Sequence, residues 1–174
     1  MTDNQYIDLF GLVRHHRQIS GQFGLPLFVR LLDGMPAQHE GDEASWTIKG
    51  RTTTAGKSLL ELDVQARLVL ECQRCLQPFE RVVHVHDVLQ VVASDNELKA
   101  EDAVEIDELE QIIGSDRFDL LALLEDELIL EVPYVPRHDD CHPEPLTTHL
   151  QDDGLDDDIK RPNPFAILGR LKKS

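Results

Sequence analysis

Residues 58–92, "SLLELDVQARLVLECQRCLQPFERVVHVHDVLQVV", decide the fold. In the first half Leu60, Leu62, Val64, Ala66, Leu68 and Leu70 fall at every second position, with Glu61, Asp63, Gln65 and Arg67 between them. Successive side chains of a strand point to opposite faces, so this run predicts a strand with one dry and one wet face. The second half puts Val83, Val85 and Asp87 on one side and His84, His86 and Val88 on the other. Upstream, "ASWTIKGRTTTAG" from Ala44 alternates in the same way around Trp46, Ile48 and Thr52. Three consecutive strands with short connections predict an antiparallel meander, wet on one face and covered on the other.

The cover has to come from the flanks. Asp8 to about Ile19 reads as a short amphipathic helix, with Leu9, Leu12, Val13 and His16 on one face and Gly21 and Gly24 as breakers. "LPLFVRLLDG", residues 25–34, offers a second helix with Leu27, Leu31 and Leu32 inward, though a strand fits it equally well. "FDLLALLEDELILEVP", residues 118–133, is the clearest helix of the chain. Asp119 is its N-cap, Leu120, Leu121, Leu124 and Leu128 its buried stripe, and Pro133 its stop. Between sheet and helix, Asp95 to Glu110 carries eight acids against one lysine, which reads as a solvated loop with a short edge strand at Ala103–Ile106. The expectation is an α+β fold: an antiparallel β-meander covered on one face by helices, spanning residues 1–136. An acidic flexible linker over 137–162 and a short basic C-terminal helix over 163–174 should follow it. That last helix would start at Asn163 with Pro164 in its first turn, and is too short to stand alone in water. It needs a surface to dock on, either its own domain or a partner's.

With 33 acidic residues against 17 basic ones, the chain carries a formal charge of −16. Such a surface repels phosphate backbones and attracts basic proteins. No run approaches the roughly 18 apolar residues of a membrane helix. The start, "MTDNQYIDLF", has neither the basic nor the apolar region of a secretory signal. Three cysteines, an odd number, suit a reducing compartment better than a disulfide framework. The expected location is the cytoplasm.

Cys72 and Cys75 form a CxxC that leads from one strand into the next. Redox chemistry would need the first thiol at a helix N-terminus, but Pro78 pushes Gln77 away from helical geometry. Two readings stay open. In one, the pair is half of a structural zinc site completed by Cys141 with His142 or His138 from "RHDDCH". In the other, the thiols are small apolar plugs at a strand turn. Nothing pairs a nucleophile with a base, and "HDDCH" sits in a polar strip rather than a walled pocket, so no catalytic residue is assigned.

Three pieces in order carry a family resemblance: "LECQRCLQPF" at 70–79, "FDLLALLEDELILEVPYVPRHD" at 118–139, and "RPNPFAILGRLKKS" at 161–174. Together they resemble the bacterial YceD-like family, named for large ribosomal RNA subunit accumulation. Cys72, Arg74, Cys75, Pro78 and Phe79 match its first motif, and Pro162, Asn163, Pro164 and Phe165 its last. The resemblance implies a non-enzymatic factor needed for synthesis, processing or stability of 23S rRNA. Some relatives carry a further cysteine pair after the helix; here "RHDDCHPE" offers one cysteine and two histidines instead.

Joined, these readings predict an acidic domain that engages ribosomal proteins or the pre-50S particle, with any effect on rRNA possible at second hand. No membrane and no small-molecule substrate enter. The metal residues are Cys72, Cys75, Cys141 and His142, the cofactor a structural zinc if any. Contacts to partner or RNA fall to Arg161, Pro162, Asn163, Pro164, Phe165, Arg170, Lys172 and Lys173. The competing class is a zinc-dependent RNA-processing enzyme.

Overall fold

The computed structural model describes residues 5–94 and 109–141, all within one compact unit formed by residues 1–143. The expected edge strand at 103–106, most of the acidic linker and the C-terminal helix lie outside the described residues. What is described is an α+β fold. Five strands, β2 (Gln18–Gly24), β3 (Glu43–Thr52), β4 (Ser58–Glu71), β5 (Pro78–Val92) and β6 (Gln111–Ile113), lie side by side in that order. The pairs β2–β3, β3–β4 and β4–β5 are antiparallel, and β6 adds to β5 in parallel. A small ribbon pairs β1 (Tyr6–Ile7) with β7 (Phe118–Asp119).

The alternating run of β4 behaves as its pattern dictates. Leu60, Leu62, Val64, Ala66, Leu68 and Leu70 are all at most 2% exposed, facing a single apolar core. Val83 and Val85 of β5 join them, as do Ala44, Trp46 and Ile48 of β3. The other face is wet and lined with ion pairs. Arg51 Nε reaches Glu61 at 3.0 Å, and Asp63 Oδ2 receives His84 at 3.1 Å and His86 at 3.5 Å. The β3–β4 hairpin closes through Thr53, whose N–H donates to the Lys57 carbonyl at 2.9 Å, with Gly56 in the left-handed region at φ 84°.

Two helices cover the dry face. Helix α1 (Leu9–Arg14) starts at Asp8, whose carboxylate accepts the Gly11 N–H at 2.7 Å, and buries Leu9, Leu12 and Val13. It stops well short of Ile19, because the chain turns at His16 (φ 49°) and enters β2. Its backbone rests on Gly50 of β3, where a Cβ would stand 2.5 Å from the Leu12 carbonyl oxygen; only glycine permits that approach. Residues 25–34 form neither an α-helix nor a strand but a short 3₁₀ helix (Leu25–Leu27) followed by turns. Leu25, Phe28 and Leu31 are buried there, Leu32 is half-buried, and Leu27 points outward.

Helix α2 (Leu120–Glu131) is capped by Asp119, whose Oδ1 accepts the Ala122 N–H at 3.1 Å. Leu120, Leu123, Leu124 and Leu128 are buried, and Leu121 packs at the margin. Burying four leucines supplies roughly 1.5–3 kcal/mol each, which a helix of this length needs to stay formed. None of the described helices is long and apolar enough to cross a membrane.

Candidate metal centre at the hairpin tip

The long β4–β5 hairpin ends where Glu71 faces Pro78. Six residues, Cys72–Gln77, make the turn between them. It is held by Cys72 N–H to the Gln77 carbonyl at 2.9 Å and Leu76 N–H to the Cys72 carbonyl at 2.8 Å. Leu76 sits at φ 59°, a left-handed conformation that a leucine adopts only when its surroundings impose it. The turn therefore aims both thiols inward at a cost in backbone strain.

The chain leaving α2 comes to meet it. After Pro133 the segment runs past the hairpin tip, and the Gln73 N–H donates to the Pro136 carbonyl at 2.9 Å. The His138 ring packs edge-on against Phe79, with centroids 5.5 Å apart. These contacts place His138 Nε2 at 3.1 Å from Cys75 Sγ and Cys141 Sγ at 3.6 Å from Cys72 Sγ. The ligand atoms of Cys72, Cys75, His138 and Cys141 all lie within 4.8 Å of one another. Cys72 and Cys141 are buried and all three cysteines are free. A sulfur pair at 3.6 Å is far beyond the roughly 2.05 Å of a disulfide. It is close to the roughly 3.8 Å edge of a tetrahedron with Zn–S arms of about 2.3 Å.

Electrostatics point the same way. Burial pushes the Cys72 thiol up, but the backbone amides of Arg74, Cys75 and His138 hydrogen-bond its sulfur, and the outcome is a pKa lowered to about 6. Burial also pushes Cys141 up, to about 11, and its sulfur neighbours Cys75 and Cys72 add to the rise. One thiolate is thus stabilised by the turn itself, and the crowding of further negative charge against it calls for a cation. A set of three sulfurs and one imidazole suits a soft or borderline ion, zinc above all. The activation of Cys72 had no visible source in the sequence, since no helix begins there; turn amides supply it instead. Being fully buried, that thiolate is placed to bind an ion rather than to attack a substrate in solution.

Of the residues read from the sequence as metal ligands, Cys72, Cys75 and Cys141 come together here, and His138 stands as the fourth. His142 lies outside the described residues, as do Arg161, Pro162, Asn163, Pro164, Phe165, Arg170, Lys172 and Lys173. His84 and His86 project from the wet face with side chains 54% and 67% exposed. Sequence reasoning missed Arg30 and Glu125, whose pairing ties the turns after β2 to α2. It also missed the grouping of Asp87, Glu110 and Glu127.

Comparison with known proteins adds to this geometry. The family described as "Large ribosomal RNA subunit accumulation protein YceD" matches residues 60–172, which include all four clustered ligands. A curated protein from Haemophilus influenzae with that same name is 36% identical over 111 residues. The alignment covers 63% of this chain and 63% of the relative, so the chain spans under two thirds of that protein. No solved structure matches.

Proposed function

The chain belongs to the YceD family of large ribosomal RNA subunit accumulation proteins, and on that premise we propose that it is a non-enzymatic factor supporting the accumulation of 23S rRNA. The observation that carries this reading is the family match across residues 60–172, reinforced by a relative whose name states the same role. The protein works in the cytoplasm through protein or pre-50S contacts. Its charge of −16 favours a basic ribosomal protein over naked rRNA as the direct partner. The basic end, with Arg161, Arg170, Lys172 and Lys173, is the docking element, and the acidic stretch before it is its tether.

Zinc enters this reading as a staple. Cys72, Cys75, His138 and Cys141 would fill all four positions of a tetrahedral ion, leaving none for water or substrate. That supports a structural metal over the alternative, a zinc-dependent RNA-processing enzyme, whose ion needs an open position. Phe79 and the Gln73–Pro136 hydrogen bond orient the His138 side of the site.

The test is the 23S to 16S rRNA ratio in cells lacking the protein, then with three versions restored. The full chain should recover the ratio, and a chain ending at Lys160 should not, while keeping its cooperative melt. Cys72→Ser/Cys75→Ser should lose one equivalent of zinc and melt lower. An unchanged ratio in the deletion would remove the ribosomal reading, and RNA cleavage by the pure protein that stops on His138→Ala would favour the enzyme.

A further inference from the structure

We propose that the open edge of β5 pairs with the same edge of a second copy of this chain, joining the two sheets across a two-fold axis at His84. Strand β6 pairs only with Gln90, Val91 and Val92, so among the described residues 79–89 have β4 on one side and no strand on the other. The bonds to β6 show which groups that edge offers. The Gln90 N–H donates to the Glu110 carbonyl at 2.8 Å, and the Val92 carbonyl accepts the Gly114 N–H at 2.8 Å. Backbone groups alternate sides along a strand, so those of Val82, His84 and His86 point the same way. All three residues are exposed. At Val88 the edge is closed from within, because its N–H donates to the Asp87 carboxylate at 2.6 Å.

Proteins blunt such an edge with proline, lysine, a bulge, an inward charge or a covering segment. Residues 79–89 contain neither proline nor lysine. The β4–β5 register runs without a bulge from Ser58 opposite Val91 to Glu71 opposite Pro78. One inward charge stands there, Asp87, in phase with Val83 and Val85. It repels any strand that cannot answer it and selects one that can.

The answering strand is β5 itself. Two copies paired antiparallel about His84 set Val82 opposite His86, Val83 opposite Val85, and Arg81 opposite Asp87. The outward groups of Val82, His84 and His86 then meet as hydrogen-bonded pairs, with the odd-numbered residues in the pairs between them. Arg81 is exposed and has no ion pair among the described residues. Asp87 lies within 4.8 Å of Glu110 and Glu127, oxygen to oxygen, which draws a cation to that place. The two-fold axis makes the Arg81–Asp87 contact twice. Moving the axis one or two residues either way sets Asp87 against Val85, Val83, Phe79 or Gln77 instead, so charge selects a single register.

The experiment is sedimentation velocity of the zinc-loaded full-length chain at about 0.15 M salt, which screens the repulsion between two acidic copies. A reversible monomer–dimer equilibrium should appear below about 100 μM. His84→Pro removes an outward amide that takes no part in the β4 ladder, so it should abolish the dimer and keep the cooperative melt. Arg81→Asp and Asp87→Arg each put like charges opposite one another and should weaken association at least about ten-fold. An equimolar mixture of those two variants restores opposite charges at both contacts and should dimerise where neither does alone. The proline and the charge variants test the edge separately, which guards against one of them failing to fold. A dimer untouched by His84→Pro, or folded charge variants that do not pair when mixed, would overturn the proposal. So would a wild type that stays monomeric at about 100 μM. Hydrogen exchange would then name the true occupant: this chain if the edge amides are protected in the monomer, a foreign strand if an added basic peptide protects them.

Discussion

Two glutamates two residues apart on α2, equally buried, live in opposite surroundings. Glu125 faces the turns after β2 and is saturated with donors. Its Oε1 accepts the N–H groups of Arg30 at 2.7 Å and Leu31 at 3.2 Å, and its Oε2 takes Arg30 Nε at 2.8 Å. Glu127 lies near Asp87 of β5 and Glu110, and the charges of Asp87, Glu110 and Asp126 act on it. They are 7% and 6% exposed, so burial does not distinguish them. What differs is what the fold brings to meet each carboxylate. One is a structural rivet, holding the turn at Arg30 and Leu31 in place. The other sits among like charges, which together with burial raise its pKa.

Substitutions should separate the two. Glu125→Ala strands the amides of Arg30 and Leu31 inside the protein, and should cost about 2–4 kcal/mol in urea unfolding. If it costs no more than a surface change, the rivet is decorative. Arg30→Ala removes a side chain 55% exposed while leaving its backbone amide in place, so the loss should stay under about 1 kcal/mol. Glu127→Leu at neutral pH should go the other way, stabilising by about 1 kcal/mol because it removes a partly buried charge from beside Asp87, Glu110 and Asp126. A loss of stability there would mean that Glu127 has partners and that the contrast with Glu125 fails.

A further effect is a pH dependence of that difference. The folded pKa of Glu127, about 7, lies above its ordinary 4.5, so the fold prefers the protonated form. Its contribution is complete below about pH 4.5 and is lost as pH rises through about 7. The wild type should therefore fall behind Glu127→Gln as pH goes from about 5 to 8. Thermal melts of the two proteins at matched ionic strength measure it, and a constant gap would deny the shift.

What the sequence revealed followed from how local the cause was. β4 and β5 run for 14 and 15 residues, long enough for a period of two to be unmistakable. Asp119 and Pro133 bracket α2 by chemistry that acts over a few bonds. β2 was hidden because Leu9, Leu12 and Val13 set a helical rhythm that runs on past Arg14, while only Phe23 of the strand is buried. Residues 25–34 were undecidable for a deeper reason: two of their amides are satisfied by a residue 95 and 94 positions away. At the hairpin tip the CxxC was legible, but its completion depends on the path of the chain after α2. The carboxylate group left one trace, Asp87 standing in phase with Val83 and Val85 on a face that should be dry.

The hydrogen bond from Gln73 to Pro136 also turns the second half of the molecule into a closed circuit. With an ion gripped by residues 72, 75, 138 and 141, everything from β5 to α2 becomes a loop whose ends cannot part. A metal-loaded chain would then stay ring-like even when denatured, giving up less loop-closure entropy on refolding, much as a cross-linked chain does. A protease cut between Ser94 and Leu109 would leave two pieces that, in denaturant, travel together until a chelator is added.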